Sequence, residues 1–256
     1  MFNFFHSNSN HLPELFWHTD VHSHICPGID DGARSPEMSI QLVRGMEELG
    51  FTHMIATPHV TDGSFPNTPL TIAESYLSLC EQCKKEGLRM QFSCSAEYRI
   101  DDLLFDMLRD KSIRPLPGGY ILVENSWFQE PFNLEGLFFD LRNEHSLKPV
   151  MAHPERYRYY QRHRDRLEYL HNKGAFMQIN ILSLAGHYGK AEKNTAEWLL
   201  ANNLVSFIGS DIHRTAHLEA IRNYFCSKDY RKLEAKSHLI LNDTLLMAQS
   251  FQNTLP

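Results

Sequence analysis

The stretch Asp20-Val21-His22-Ser23-His24, with Gly28-Ile29-Asp30-Asp31-Gly32 shortly after it, ends the first β-rich run of the chain in imidazoles and carboxylates. His22 and His24 are two residues apart, so on a strand both side chains point to the same side. That arrangement is what two imidazoles need to bind one ion. Asp20 shares the alternation and is expected to orient an imidazole by a hydrogen bond without binding the ion itself. The alternative role for Asp20 is a cap at the start of the strand.

Outward from this stretch, the chain alternates seven short β-rich runs with seven amphipathic helical patterns. The strand candidates are His18–His22, His53–Thr57, Met90–Ala96, Tyr120–Glu124, Pro149–Ala152, Phe176–Asn180 and Val205–Gly209. The helical patterns lie near 36–49, 69–87, 100–110, 133–146, 163–173, 190–202 and 215–226. This alternation predicts a parallel sheet with helical crossovers. Since composition does not change along the chain, we expect one closed or nearly closed barrel, with a further helical pattern after Lys228 packing across its outside.

Composition and charge exclude several classes of protein. Of 256 residues, 42% are hydrophobic and 22% are charged, as in ordinary globular domains and unlike disordered chains. No run approaches 18 apolar residues and the first residues lack a basic n-region, so we expect no membrane insertion, no signal peptide and a cytoplasmic location. The formal net charge of −6 argues against nucleic acid as a partner. Histidine is unusually frequent, with 15 residues.

The cysteines do not indicate a thiol site. Five cysteines are an odd number, and a disulfide framework is not expected in such a chain. Cys80 and Cys83 form a CxxC pair, but they lie inside a helical pattern in which Cys83 occupies a core position. The C-x5-R spacing between Cys83 and Arg89 is a chance match, because the residues between them end a helix rather than form a phosphate loop.

Potential metal ligands fall at the ends of nearly all strand candidates. In chain order, these ends carry His22 and His24, Asp30 and Asp31, His59, Glu97, Glu124, His153 and Glu155, Asn180, and Asp211 and His213. In barrels of parallel strands the strand ends converge on one face, so we expect these side chains to lie together. A ligand set of imidazole and carboxylate without thiolate favours manganese, iron or zinc over a structural zinc.

The order of these motifs resembles a known family. Asp20–His24, Gly28–Gly32, Thr57–His59, Ala96–Arg99, Ala152–Arg156 and Ser210–His213 are similar to motifs of the polymerase and histidinol phosphatase (PHP) family. The segments Leu137–Leu141 and Gly186–Lys190 resemble its capsular-polysaccharide protein-tyrosine phosphatase branch (CpsB/YwqE-like). The resemblance implies an α/β fold, a distorted seven-stranded (β/α)7 TIM-like barrel of PHP type. It implies a single domain over residues 1–256, with the motif-bearing core at about 17–226 and a C-terminal helical extension at 227–256.

The same resemblance implies three divalent metal ions, with manganese favoured and iron or zinc as alternatives. It places one ion at His22, His24, Glu97 and Asp211, a second at Glu97, Glu124 and His153, and a third at Asp31, His59 and His213. Three such ions with four carboxylates and neutral imidazoles leave two positive charges, or one with a bridging hydroxide. A site that stays positive suits a phosphate dianion.

Two arginines and Asp20 complete the implied catalytic residues. Arg156 matches the family's phosphate-contacting arginine, with a surface salt bridge to Glu155 as the alternative. The family's second arginine aligns with Leu218, which leaves Arg214 and Arg222 as candidates, and we select Arg214. Val60 stands where the family often has a second histidine, so the mouth of the substrate site is expected to differ.

The resemblance therefore implies a metal-dependent protein-tyrosine phosphatase. Its expected substrate is the phosphotyrosine tail of a bacterial tyrosine kinase of capsular or exopolysaccharide biosynthesis, hydrolysed by attack of a metal-bound hydroxide. One alternative is a small-molecule phosphomonoesterase such as a histidinol-phosphatase, and another is a non-catalytic metal-binding barrel. An amidohydrolase is disfavoured, because Glu124 stands where those enzymes have a lysine. A homo-oligomer is left open.

Overall fold

The computed structural model describes residues 12–246 of the chain. These residues form nine strands and ten α-helices. The strands are β1 (Thr19–Ser23), β2 (His53–Ala56), β3 (His59–Val60), β4 (Gln91–Cys94), β5 (Glu97–Arg99), β6 (Tyr120–Glu124), β7 (Lys148–Ala152), β8 (Phe176–Asn180) and β9 (Val205–Gly209). The helices are α1 (Pro36–Glu48), α2 (Pro69–Lys85), α3 (Asp102–Arg109), α4 (Leu134–Asn143), α5 (Arg158–Arg162), α6 (Arg164–Asn172), α7 (Ile181–Leu184), α8 (Lys190–Ala201), α9 (Thr215–Phe225) and α10 (Tyr230–Glu234). In this range no helix has both the length and the apolar content needed to cross a bilayer.

The strands form two parallel sheets rather than one. The first sheet has the order β1-β2-β4 and the second has the order β3-β5-β6-β7-β8-β9. The prediction of an α/β fold with parallel strands and helical crossovers is therefore confirmed. A single closed seven-stranded sheet is not found among the described residues.

The sheets separate just after the second and third predicted strands, each of which is followed by a further short strand that the sequence did not predict. Thr57 and Pro58 divide β2 from β3, and Ser95 and Ala96 divide β4 from β5. Thr57 N–H still donates to Ser23 on the β1 side at 2.9 Å, whereas His59 already pairs with Glu97 of β5. Pro58 lies at this change of partner and has no N–H to continue the ladder. Pro58 thus explains why β3 does not continue the ladder of β2.

At the other edge, β1 approaches β9 through a few hydrogen bonds. Asp211 N–H donates to the His22 carbonyl at 2.8 Å, and His24 N–H donates to the Ile212 carbonyl at 3.1 Å. A single parallel bridge joins Ser23 and Ile212. These bonds bring the first and the last metal-ligand motifs of the chain side by side.

A bulge in β1 changes where its side chains point. Asp20 pairs with Met54 and Ser23 pairs with Ala56, so β1 has one more residue than β2 over this interval. Bulges of this kind re-aim side chains and occur beside active sites. The simple alternation that the sequence predicts is therefore interrupted between Asp20 and Ser23.

The apolar residues divide into two layers. The larger cluster lies between the sheets and the helices and includes Leu42, Phe138 and Leu199. The smaller cluster lies on the opposite side of the strands and joins Val21, Ile55, Leu116, Leu122, Val150, Ala152, Phe207 and Leu245. Along β6, Ile121 and Val123 face the helices, while Leu122 and Glu124 have the other parity. The strand alternation therefore directs Glu124 to the side away from the helices.

The sequence predicts that the segment after Lys228 packs across the outside, but part of it enters the interior. Leu245 is buried in the smaller cluster, away from the helices. Asn242, also fully buried, donates to the carbonyls of Thr19 and Ile208 and accepts from Ile208 N–H, at 2.7–3.0 Å. It thereby ties β1 to β9. The expected extension at 227–256 is described only as far as 246; residues 247–256 lie outside the described range.

We expect Asn242→Ala to lower the free energy of unfolding by about 3 kcal/mol, since it leaves buried backbone groups of two strands without partners. Urea unfolding followed by circular dichroism measures this change. Asn223→Ala, at an exposed position of α9, is the control and should change stability by less than about 0.5 kcal/mol. Equal urea midpoints of unfolding for the two variants would show that the hydrogen bonds of Asn242 between β1 and β9 do not stabilise the fold.

Candidate metal centre and substrate pocket

A cavity of about 660 Å³ opens where the strands end, and most of the predicted site residues line it. Its wall includes Asp31, His59, Glu124, His153, Arg156, Asp211, His213 and Arg214. His22, His24 and Glu97 lie deeper and are fully buried. The strand ends thus bring together all nine side chains that the sequence singled out as metal ligands.

The first predicted group surrounds the ends of β1 and β9. The Nε2 atoms of His22 and His24 are 3.1 Å apart. Asp211 Oδ1 lies 3.6 Å from the first and 3.3 Å from the second. Glu97 Oε2 lies 3.2 Å and 3.4 Å from the same two nitrogens. Four ligand atoms therefore surround one small volume.

The second predicted group lies across Glu97. His153 Nε2 is 3.0 Å from Glu97 Oε1 and 3.9 Å from Glu124 Oε1. The other oxygen of Glu124 accepts from Arg99 Nη1 at 2.8 Å. Each oxygen of Glu97 thus faces a different set of imidazoles, as expected for a carboxylate that bridges two ions.

The third predicted group lies nearer the solvent. Asp31 Oδ1 is 3.5 Å from His59 Nε2 and 3.3 Å from His213 Nε2. His24 also comes within reach of this group, which the sequence did not indicate. His59 Nδ1 lies 3.0 Å from Glu97 Oε2, so the third group adjoins the first.

The donor atoms fit divalent cations. Glu97 Oε2 is buried and makes no hydrogen bond of good geometry, although three imidazole nitrogens lie within 3.4 Å of it. Buried carboxylate oxygens without partners are costly, and a cation removes that cost. A set of imidazole and carboxylate ligands is the one that manganese, iron and zinc accept.

The pKa shifts in the metal-free cluster also indicate that its carboxylates require positive charge. Burial lowers the pKa of the His22 imidazole, but the carboxylates of Glu97 and Asp211 outweigh burial and raise that pKa to about 9. Burial and the charge of Glu97 raise the pKa of Glu124 to about 8. Without ions, protons therefore supply the positive charge that the carboxylates require.

Neighbouring side chains set the tautomers of the two histidines of β1. Gln178 Oε1 accepts from His22 Nδ1 and Asp30 Oδ2 accepts from His24 Nδ1, both at 2.8 Å. In the neutral rings both Nε2 atoms then present lone pairs toward the same volume. Asp20, which had been expected to orient an imidazole, instead accepts from the Ser210 backbone N–H and hydroxyl. The β1 bulge explains this correction, because it breaks the alternation on which the expectation rested.

Three backbone positions near the ligands are conformationally restricted. A Cβ at Gly32 would lie 2.2 Å from the His24 carbonyl oxygen, so only glycine fits there. His153 and Asp211 have φ angles of 35° and 51°, in the left-handed region that residues other than glycine seldom adopt. Backbone strain of this kind concentrates at functional sites, where surrounding contacts enforce it.

Arg156 enters the cavity beside Asp211. Its Nη1 donates to Asp211 Oδ2 at 2.8 Å, and its guanidinium lies 4.8 Å from the Trp127 ring and 4.1 Å from the Tyr188 ring. The alternative of a salt bridge to Glu155 is wrong. Glu155 is fully buried and accepts from Ser183 Oγ and Asn180 N–H.

The structure also separates the candidates for the second arginine. Arg214 lines the cavity, whereas Arg222 pairs with Glu48 at 3.5 Å and does not line it. Leu218 is directed toward Gly45 of α1. Val60 is buried in the core, so its place in the motif does not shape the mouth of the cavity.

Comparison with known proteins assigns the family. The sequence model described as "Capsular polysaccharide synthesis, CpsB/CapC" matches residues 18–244. The chain belongs to the CpsB/CapC family. It is 35% identical to the tyrosine-protein phosphatase YwqE of Bacillus subtilis, over 76% of each chain. It is 27% identical to the tyrosine-protein phosphatase CpsB of Streptococcus agalactiae, over 87% of this chain and 95% of the relative.

Solved structures agree with this assignment. The chain matches one from crystal structures of YwqE of Bacillus subtilis and CpsB of Streptococcus pneumoniae, which are described as metal-dependent tyrosine phosphatases. The TM-score is 0.74 with 32% identity, covering 88% of this chain and 94% of the other. A lactonase from Listeria monocytogenes matches with a TM-score of 0.53 at 13% identity, which shows a shared fold.

Sequence reasoning on this CpsB/CapC-family chain missed the aromatic part of the cavity. Trp127 lies parallel to the His153 ring, with centroids 5.4 Å apart, and Phe65 lies parallel to the His59 ring at 5.6 Å. His187 and Tyr188 line the cavity from a segment that had served only to mark the resemblance. The position of Trp127 just after the end of β6 is the signal that could have indicated it.

We expect Glu97→Ala to abolish turnover and to lower metal content by more than one ion per chain, because each of its oxygens faces a different ligand group. Elemental analysis of the purified protein measures the ions. Glu81→Ala, at an exposed position of α2, is the control. Full occupancy in Glu97→Ala would contradict the bridging role.

We also expect metal uptake by the chelator-treated protein to release at least one proton per chain at pH 7. His22 and Glu124, with pKa values raised to about 9 and about 8, hold protons at that pH and must lose them to bind an ion. Calorimetric titration with Mn²⁺ in two buffers of different ionisation enthalpy counts these protons. Identical heats in both buffers would contradict this prediction.

Proposed function

We propose that the protein is a metal-dependent protein-tyrosine phosphatase, a phosphoric monoester hydrolase. The observation that carries this proposal is a cavity in which nine imidazole and carboxylate ligands converge beside the guanidinium of Arg156. The relatives YwqE and CpsB, named tyrosine-protein phosphatases, support it over most of the chain.

The ligand assignment is part of the proposal. His22, His24, Glu97 and Asp211 would hold one ion, Glu97, Glu124 and His153 a second, and Asp31, His59 and His213 a third. Manganese is the proposed metal, with iron or zinc as alternatives. When bound, such ions supply a nucleophilic water at neutral pH and neutralise the charge of a phosphate.

The chain's own residues then bind and orient the phosphate. The Arg156 guanidinium lies near the Trp127 and Tyr188 rings. Its Nη1 donates to Asp211. Among residues 12–246 no hydrogen bond from its other N–H groups is found, so these can donate to phosphate oxygens. Arg214, at the start of α9, adds a second positive charge on the cavity wall. Asp20 contributes by holding Ser210, the residue before Asp211. Its proposed catalytic role is therefore indirect.

The proposed substrate is phosphotyrosine on the tail of a bacterial tyrosine kinase that controls capsular or exopolysaccharide assembly. The family description in terms of capsular polysaccharide synthesis supports this choice. The five cysteines, all free, support a cytoplasmic location, where thiols stay reduced. Nucleic acid is not a proposed partner, since the net charge is −6.

We further infer one domain over residues 1–256, a distorted seven-stranded barrel. If β2 with β3 and β4 with β5 each count as one interrupted strand, the nine strands become seven in the order of the chain. The bonds of β1 to the end of β9 and the tie through Asn242 support this arrangement.

We expect Arg156→Ala to keep its metal ions but to lose turnover by about 10²–10³-fold, the cost of removing one preorganised donor to a developing charge. Steady-state kinetics on a phosphotyrosine peptide, with metal content measured on the same sample, test this. Arg158→Ala, at an exposed position two residues further on, is the matched control. Wild-type kinetics for Arg156→Ala would remove the arginine from the mechanism.

Chelation should abolish activity, and Mn²⁺ should restore it, because the ions supply both nucleophile and charge. Cys83→Ser should keep near-normal turnover, while His22→Ala should lose it. Cys83 is buried on α2, and burial raises its pKa to about 12, which leaves it without a reactive thiolate. An inactive Cys83→Ser together with indifference to chelator would refute the metal mechanism. Comparing turnover of a phosphotyrosine peptide with that of histidinol phosphate separates the two substrate classes.

A further inference from the structure

The segment between β6 and α4, residues 126–133, displays two phenylalanine rings to solvent. Phe128 is 92% exposed and Phe132 is fully exposed, more than any other large apolar side chain in residues 12–246. Large apolar side chains exposed in this way commonly mark a surface that binds a partner. The fold itself gives these rings nothing to pack against.

The segment is held in place despite the exposure of its rings. Tyr159 Oη donates to the Ser126 carbonyl at 2.9 Å, and Asn125, just before the segment, donates to the hydroxyls of Tyr157 and Tyr160. Further along, Arg166 Nε donates to the Glu130 carboxylate at 3.0 Å. Bonds on both sides of Phe128 therefore fix the course of the chain around it.

The exposed rings continue directly from the cavity wall. Trp127 lines the cavity and contacts Arg156 and His153, and Phe128 is the next residue. Neither Phe128 nor Phe132 lines the cavity itself. The exposed ring of Phe128 therefore directly follows, in the chain, an aromatic residue of the cavity wall.

We propose that Phe128 and Phe132 form a docking surface for the polypeptide that flanks the phosphotyrosine of a protein substrate. This inference rests on the proposed function. A phosphotyrosine whose phosphate reaches the ligands at the bottom of the cavity leaves its own backbone at the rim. An extended chain advances about 3.3 Å per residue, so four residues on either side of the phosphotyrosine span about 13 Å along the rim that adjoins Trp127.

A second copy of this chain and a membrane surface fit the two phenylalanines less well than a substrate chain does. Two phenylalanine side chains bury about 300–500 Å², whereas a stable dimer interface needs about 800 Å² from each partner. The segment 126–133 has one acidic and no basic residue, which is unfavourable at an anionic membrane. Continuity with the cavity mouth favours the substrate chain.

The test uses the manganese-loaded full chain and a double variant, Phe128→Ser with Phe132→Ser. Phe139→Ser, a phenylalanine on α4 that is 58% exposed and outside the segment, is the matched control. Three substrates are compared: para-nitrophenyl phosphate, a phosphotyrosine peptide with glycine and serine flanks, and the same peptide with leucine or phenylalanine two and three residues from the phosphotyrosine. Light scattering and sedimentation with phosphatidylserine vesicles accompany the kinetics.

We expect the wild type and Phe139→Ser to prefer the peptide with apolar flanks. The double variant should lose about tenfold or more in kcat/KM for that peptide, mainly through KM. It should stay within about twofold of wild type on the other two substrates.

Equal kcat/KM on both peptides in wild type, or an equal loss on all three substrates in the double variant, would overturn the docking surface. So would a dimer or vesicle binding that the double variant loses while peptide preference is unchanged. Wild-type protein that does not hydrolyse para-nitrophenyl phosphate would refute the proposed function, and the docking surface with it. Activity on that substrate without peptide preference refutes the docking surface alone.

Discussion

The burial of the Glu97 carboxylate beneath the strand ends is the constraint on which the site depends. Burial alone would raise its pKa, but the surrounding imidazoles hold that pKa well below its usual range. A buried negative charge persists only if positive charge lies against both of its oxygens. Four imidazoles from three strands lie against these oxygens: His22, His24 and His59 face Oε2, and His153 faces Oε1. The cluster thus has the donor groups that the proposed cations need, and in the metal-free cluster a proton on His22 supplies positive charge.

The cluster needs irregular backbone as well as regular strands. β1 contains a bulge between Asp20 and Ser23, Pro58 lies where the chain passes from the first sheet to the second, and His153 and Asp211 have left-handed backbone conformations. Each irregularity costs stability locally. The surrounding hydrogen bonds of Gln178, Asp30 and Asn180 hold the side chains once they are placed.

Asp211 connects the ligand cluster to the substrate side of the cavity. Its Oδ1 faces the imidazoles of β1, while its Oδ2 accepts from Asn180 and Arg156. Arg156 is thereby joined to the ligand cluster, and its guanidinium also lies near the rings of Trp127 and Tyr188. The same aromatic wall leads out to the rim, where Phe128 and Phe132 are exposed. Phosphate binding and recognition of the flanking chain would then share one side of the cavity.

The sequence by itself determined the local elements and the inventory of the site. Helix boundaries at Ser35-Pro36 and Gly87 follow from caps, and ligand types at strand ends predict a common face, because parallel strands end together. Only the tertiary structure decided which carboxylate holds which imidazole, that the sheets part at Pro58, and that Leu245 enters the smaller cluster. These features depend on contacts between residues far apart in the chain, such as Asp20 with Ser210 and Asn242 with Thr19. Local periodicity contains no information on such pairings, since the geometry of strand packing sets them.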